Sequence, residues 1–107
     1  MRLNTIIEQE FNFKSRVYIP PVVFQQCDNT FKKDLFIFYT LFLKKHPDIS
    51  PNEKIISGLI KLDLNTTEIS IILNKSKNTL ATARTRLRKK IKLTNTKISL
   101  QQYINSI

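Results

Sequence analysis

From Thr30 to Lys45 apolar residues recur at spacings of three and four. Phe31, Leu35, Phe38, Tyr39 and Phe42 fall on one stripe, and Phe36, Ile37, Leu41 and Leu43 add apolar residues around it. The spacing predicts a helix that Pro47 stops. A helix apolar nearly all round must be buried on several sides. Two coverings fit equally: a second copy of the chain, or residues 1–30 folded back over the helix. Those first 30 residues carry a weaker pattern. Phe11, Phe13, Val17 and Ile19 alternate with Asn12, Lys14 and Tyr18 in a broken period of two, which predicts a short strand ended by Pro20-Pro21. Val22-Val23-Phe24 then resumes without a clear turn residue.

The pattern sharpens after Pro47. Ser50-Pro51-Asn52-Glu53 is a helix start: Ser caps, Pro takes the first helical position, and Glu closes the capping box. That helix runs to about Leu62 and buries Ile55, Ile56, Leu59 and Ile60. Asn65-Thr66-Thr67-Glu68 repeats the signal for a short helix burying Ile69, Ile72 and Leu73. Asn74 suits a left-handed turn position, and Ser76 caps a third helix from Lys77 to about Ile91. Ser99 with Gln102 starts a fourth, carrying Leu100, Tyr103 and Ile104. The fold class predicted is all-α: a small bundle whose last four helices contain a helix-turn-helix, preceded by an extra helix. The expected division is an extension over 1–30, an apolar linker or dimerisation helix over 31–46, and a helix-turn-helix domain over 47–107.

Composition narrows the function. In 107 residues there is one Gly and there are four Pro, so glycine-rich phosphate or dinucleotide loops are excluded. The single Cys27 cannot form an internal disulfide, which fits a reducing cytoplasm, and reads as a small core residue. The longest apolar run, Leu35–Leu43, is too short to span a bilayer. One His and one Cys leave no pairing for nucleophilic catalysis or a metal cluster, so no enzyme activity, metal or cofactor is expected. His46, beside Pro47 at a helix end, reads as structural.

Charge changes the picture most. The last acid is Glu68; from Ile69 to Ile107 there is none, against nine Lys or Arg. Nearly all of the net +10 therefore sits in the C-terminal third, a one-signed field that attracts polyanions. The third helix resolves into faces at about 100° per residue. Leu80, Ala83, Leu87 and Ile91 point to the core. Asn78, Ala81, Thr82, Thr85 and Lys89 point away, flanked by Lys77, Arg84, Arg86 and Arg88. Small and polar residues stand where base edges would lie in a major groove, and cations where phosphates would run.

These residues carry a resemblance. Ile49–Glu53, Thr67–Ser70, and Leu80–Leu87 followed by Arg88-Lys89-Lys90-Ile91 resemble the LuxR-type helix-turn-helix, also called the GerE or FixJ type. The string Thr82–Lys90 is similar to a subgroup reading A-R-Y-R-L-R-K-K-L, and Phe38-Tyr39 with His46–Ile49 to its lead-in. The resemblance covers about residues 38–93. It implies a four-helix DNA-binding domain of bacterial transcription regulators, dimeric through its last helix and joined to a receiver or sensor domain. Base-reading positions would then be Ala81, Thr82 and Thr85, and phosphate contacts Lys77, Thr79, Arg86 and Lys89. The chain departs from the pattern at Lys75, where a buried Ile or Val is usual, at Ser70 for Ala, and at Lys92 for Gly. Thirty upstream residues are too few for a receiver domain, so phosphorylation control cannot be inferred.

The expected function is sequence-specific binding of double-stranded DNA by a cytoplasmic, homodimeric regulator, with RNA polymerase or an upstream sensor protein as further partners and no membrane. Two alternatives stay open. One is a domain like region four of sigma factors, which should come with a separate promoter-melting domain. The other is a protein-interaction module using the Phe31–Leu43 helix, with degenerate DNA binding.

Overall fold

In the computed structural model, which describes residues 18–107, six helices follow one another: α1 (Pro21–Gln26), α2 (Lys32–Lys45), α3 (Pro51–Lys61), α4 (Thr66–Leu73), α5 (Lys77–Lys90) and α6 (Leu100–Asn105). The domain is all-α, with no strand among the described residues. Most of the strand expected around Phe11–Ile19 lies outside those residues. Where a strand was expected to end, a helix begins. Pro20 is the N-cap of α1 and Pro21 its first helical residue, and Pro20 O accepts from the amides of Val23 and Phe24. Proline at that position has its φ preset for a helix and lacks only an amide that would have gone unused. The bundle thus carries two helices ahead of α3 rather than one.

The predicted caps form. Ser50 with Glu53, Asn65 with Glu68, and Ser99 with Gln102 each make both bonds of a capping box. Ser76 Oγ accepts from the Thr79 amide at the start of α5. Each such cap is worth about 1 kcal/mol of helix stability. Three helices end alike. The amides of Leu64, Lys75 and Leu93 reach back to Leu59, Ser70 and Arg88, with Asp63, Asn74 and Lys92 in the left-handed region at φ 66, 53 and 63. This is the Schellman closure, which satisfies carbonyls the helix leaves open. Asn and Asp tolerate that conformation; Lys92 does so at a cost of about 1 kcal/mol relative to Gly.

The stripe of α2 is covered by the chain itself. Leu35, Phe38, Tyr39 and Phe42 are at most 1% exposed, in one core with Ile19, Val23 and Cys27 from the segment before it and Leu59 and Ile60 from α3. Each side chain of this size contributes roughly 1.5–3 kcal/mol when fully buried. Phe36, off the main stripe, is 5% exposed and belongs to the same core, whereas Ile37 and Leu41 stay 46% and 44% exposed. Rings link this core to the last helix: Phe38 stacks on Phe42, Phe42 meets His46, and His46 Nε2 shares a 2.6 Å hydrogen bond with the Tyr103 hydroxyl of α6. The side-chain Nε2 of Gln101 donates to Ile60 O, docking α6 on the end of α3.

The chain's one glycine sits mid-helix, where α1, α2 and α3 meet. A Cβ on Gly58 would collide with the Tyr39 hydroxyl oxygen and come within 2.7 Å of Val23 Cγ1. The Tyr39 hydroxyl meanwhile donates to Lys54 O at 2.6 Å. Alanine would gain about 1 kcal/mol in helix propensity, but forcing a methyl against the fully buried Tyr39 ring costs about 1–3 kcal/mol. Gly58→Ala is expected to lower the urea midpoint. Combined with Tyr39→Phe, which removes the colliding oxygen, the loss should be smaller than the sum of the two single variants. Additive losses would place the clash elsewhere.

Candidate nucleic-acid interface

Helices α4 and α5 form the turn that sets the candidate surface. Asn74 bends the chain at φ 53, and Ser70 Oγ donates to Lys75 O at 2.6 Å across the turn. Lys75 does not bury its stem in place of an apolar residue. It is exposed, and its ammonium donates to Asn52 Oδ1 at 3.1 Å, tying the turn to the start of α3. Ser70 in place of alanine is therefore not a mere small residue, because its hydroxyl closes the turn.

The faces of α5 are as the spacing predicts. Leu80 and Leu87 are buried, Ala83 is half-buried, and Ile91 just past the helix end is buried. Asn78, Ala81, Thr82, Thr85 and Lys89 are all exposed, as are Lys77, Thr79 and Arg86. Every residue singled out for base or phosphate contact thus lies on the solvent side of α5. Thr82 Oγ1 donates to Asn78 O at 3.1 Å and Thr85 Oγ1 to Ala81 O at 3.0 Å. With its proton engaged by the helix, each hydroxyl offers the outside an oxygen acceptor beside a methyl. Thr79 Oγ1 is 2.9 Å from Ser76 Oγ, within the cap of α5.

The cations, alike in the sequence, divide by geometry. Arg88 donates to Leu93 O at 2.9 Å and to Ile98 O at 2.8 Å, holding the loop between α5 and α6. Lys90 donates to Asp48 O at 3.0 Å and to Glu53 Oε1 at 2.7 Å. Both are used by the fold. Arg84 is half-buried, and desolvation lowers its pKa from the ordinary value, although a guanidinium stays charged at neutral pH. Lys77, Arg86 and Lys89 are the exposed cations of α5 without an anionic partner among the described residues. Arg86 and Lys89 wall a recess of about 610 Å³ with Ser50, Glu53 and Lys90, so two exposed cations stand beside the start of α3.

Glu53 is the residue that sequence reasoning undervalued. It was read as half of a capping box, and it is that: Ser50 N donates to its Oε1 at 2.9 Å. It is also 6% exposed and paired with Lys90. The signal was present in principle, an acid at one helix start and an unusual basic run at another helix end, but the spacing of 37 residues gives no hint of the pair. Burial pushes the Glu53 carboxyl up, and the bonds from Lys90 and Ser50 more than offset this, leaving its pKa below the ordinary value. His46 is likewise held below its ordinary value, by burial and then by the charge of Lys45.

Among the described residues no group of three or more His, Cys, Asp or Glu is gathered to hold a metal ion, and no helix is long and apolar enough to cross a membrane. Comparison with protein-family models, with curated proteins and with solved structures finds no match to this chain.

Both depressed pKa values act in the same direction. A group with a lower pKa in the fold than in the unfolded chain contributes stability that is complete above the unfolded value and lost as pH falls through the folded one. Stability should therefore decline below about pH 6.5 as His46 takes a proton, and again below about pH 4.3 as Glu53 does. Urea midpoints measured against pH should show both stages in the wild type. Glu53→Gln should be less stable at neutral pH and should show a smaller lower stage, what remains coming from acids such as Asp28, whose bonds from Thr30 also lower its pKa; a wild-type profile flat from neutrality down to that range would exclude the His46 contribution.

Proposed function

We propose that the chain is a sequence-specific DNA-binding module, with α5 entering the major groove of double-stranded DNA, in a transcriptional regulator. The observation that carries the reading is the outer face of α5: small, uncharged side chains along its centre, with unpaired cations to the sides and at its end. A merely solvated helix would need no such sorting. Phosphates of the duplex are the partners for Lys77, Arg86 and Lys89, with the Thr79 hydroxyl near them. Ala81, Thr82 and Thr85 meet base edges. The net charge of +10, nearly all carried after residue 68, supplies the long-range attraction. The resemblance to the LuxR-type helix-turn-helix points the same way, as does the turn through Asn74 that sets α5 beside α4.

Phosphate binding releases counterions, and the three free cations Lys77, Arg86 and Lys89 give a log–log salt slope near −2.7 per protomer. Arg86→Ala and Lys89→Ala should each weaken all duplexes alike and reduce the slope by about one. Arg88→Ala should instead lower the urea midpoint, since it frees the 93–98 loop, and change the slope little. A gel-shift titration across salt concentrations measures all three, and binding indifferent to salt would exclude the electrostatic reading.

The homodimer belongs to the same proposal. Ile37 and Leu41, one turn apart on α2, are the apolar residues of that helix left to solvent, and two copies would place two recognition helices on paired half-sites. Leu41→Glu should then give a folded monomer with weaker binding to paired sites. A wild-type chain sedimenting as a monomer at high micromolar concentration would rule the dimer out.

A further inference from the structure

We propose that α5 selects A·T-rich sequence, with Asn78 as its adenine reader; this rests on the DNA-binding reading above and names the class of site it takes. Ser76 already caps α5, its Oγ accepting from the Thr79 amide, so Asn78 two residues on has no capping task. Its side chain is exposed, and its carboxamide has no hydrogen-bond partner among the described residues; only its backbone oxygen is engaged, by Thr82. An asparagine amide, one donor beside one acceptor, matches the N6 and N7 pair that adenine presents in the major groove.

The neighbours of Asn78 fit the same bases. At about 100° per residue, Thr82 and Thr85 lie within about 40° of Asn78 and Ala81 about 60° away, so the four form one strip. From Asn78 to Thr85 the strip is about 10 Å long, some three base-pair steps. The hydroxyl protons of Thr82 and Thr85 are donated inward. What the strip presents is therefore methyl groups, which suit the C5-methyl of thymine, and oxygen acceptors, which suit the adenine amino group. Guanine shows N7 and O6, two acceptors, and is read by Arg or Lys. Lys77, Arg84 and Arg86 sit about 80–120° round the helix from Asn78, and Lys89 about 16 Å along it, at the end remote from the entering turn. Among α5 residues on the strip, only the Asn78 amide retains donors, and these pair with an acceptor beside them.

The test begins with selection of bound duplexes from a random pool by the wild-type chain and by Asn78→Ala. The wild type should select half-sites rich in A·T, with one adenine whose preference disappears in Asn78→Ala. On the selected duplex, 7-deazaadenine at that position should weaken wild-type binding about fivefold to a hundredfold and leave the variant unaffected. Deoxyuridine for thymidine beneath Ala81 and the threonines should cost about fourfold per buried methyl. Circular dichroism checks that Asn78→Ala is folded, as expected for an exposed position. Salt-dependent binding with a G·C-rich motif, with no motif, or with an adenine preference that survives Asn78→Ala would overturn this inference and leave DNA binding standing. No binding to any duplex would overturn both.

Discussion

The carboxylate of Glu53 joins the frame of the bundle to the helix that carries its outward face. One oxygen accepts from the Ser50 amide, closing the start of α3, and from the Lys90 ammonium at the end of α5. Lys90 is fixed further by Asp48 O. A buried acid without these donors would face a desolvation penalty of several kcal/mol; with them it stays ionised, as its lowered pKa records. The orientation of α5 follows, because its far end is held at Lys90 while Leu80 and Leu87 lock its inner face into the core. What Asn78, Thr82 and Thr85 present to solvent depends on that rotation.

The basic run at the end of α5 divides its work. Arg88 and Lys90 turn inward to carbonyls and a carboxylate, closing the bundle, while Arg86 and Lys89 stay on the rim. The inward pair are strong bonds between charged donors and fixed acceptors. The outward pair sit in water, where they contribute little to the fold and remain available for a polyanion. Removing members of one run should therefore separate stability from binding.

The upstream helices give that frame its size. Without α1 and α2 the core would lose Val23, Leu35, Phe38, Tyr39 and Phe42, all buried with Leu59 and Ile60 in one cluster. The close approach at Gly58, with the Tyr39 ring against the helix backbone, and the row of rings from Phe38 to Tyr103 make the core continuous from α1 to α6. The apolar excess of α2 is thus mostly intramolecular, and only Ile37 and Leu41 are left over.

Local features were legible in the residues. Caps at Ser50, Asn65, Ser76 and Ser99, the left-handed Asn74 and the two faces of α5 all follow from neighbours within one or two turns, where spacing and hydrogen-bonding chemistry are dictated by the chain. Pro20-Pro21 was misleading because the same pair suits a strand end or a helix start, and the choice lay in whether Val23 had a core to enter. Phe36 and Leu41 look alike in the sequence, yet one is buried and the other is not. The same holds for Arg88 against Arg86 and for Lys90 against Lys89. In each pair the side chains have nearly the same intrinsic energetics. Their roles diverge through contacts beyond their own helix, the 93–98 loop for Arg88 and Glu53 and Asp48 for Lys90, which exist only once the chain has folded around them.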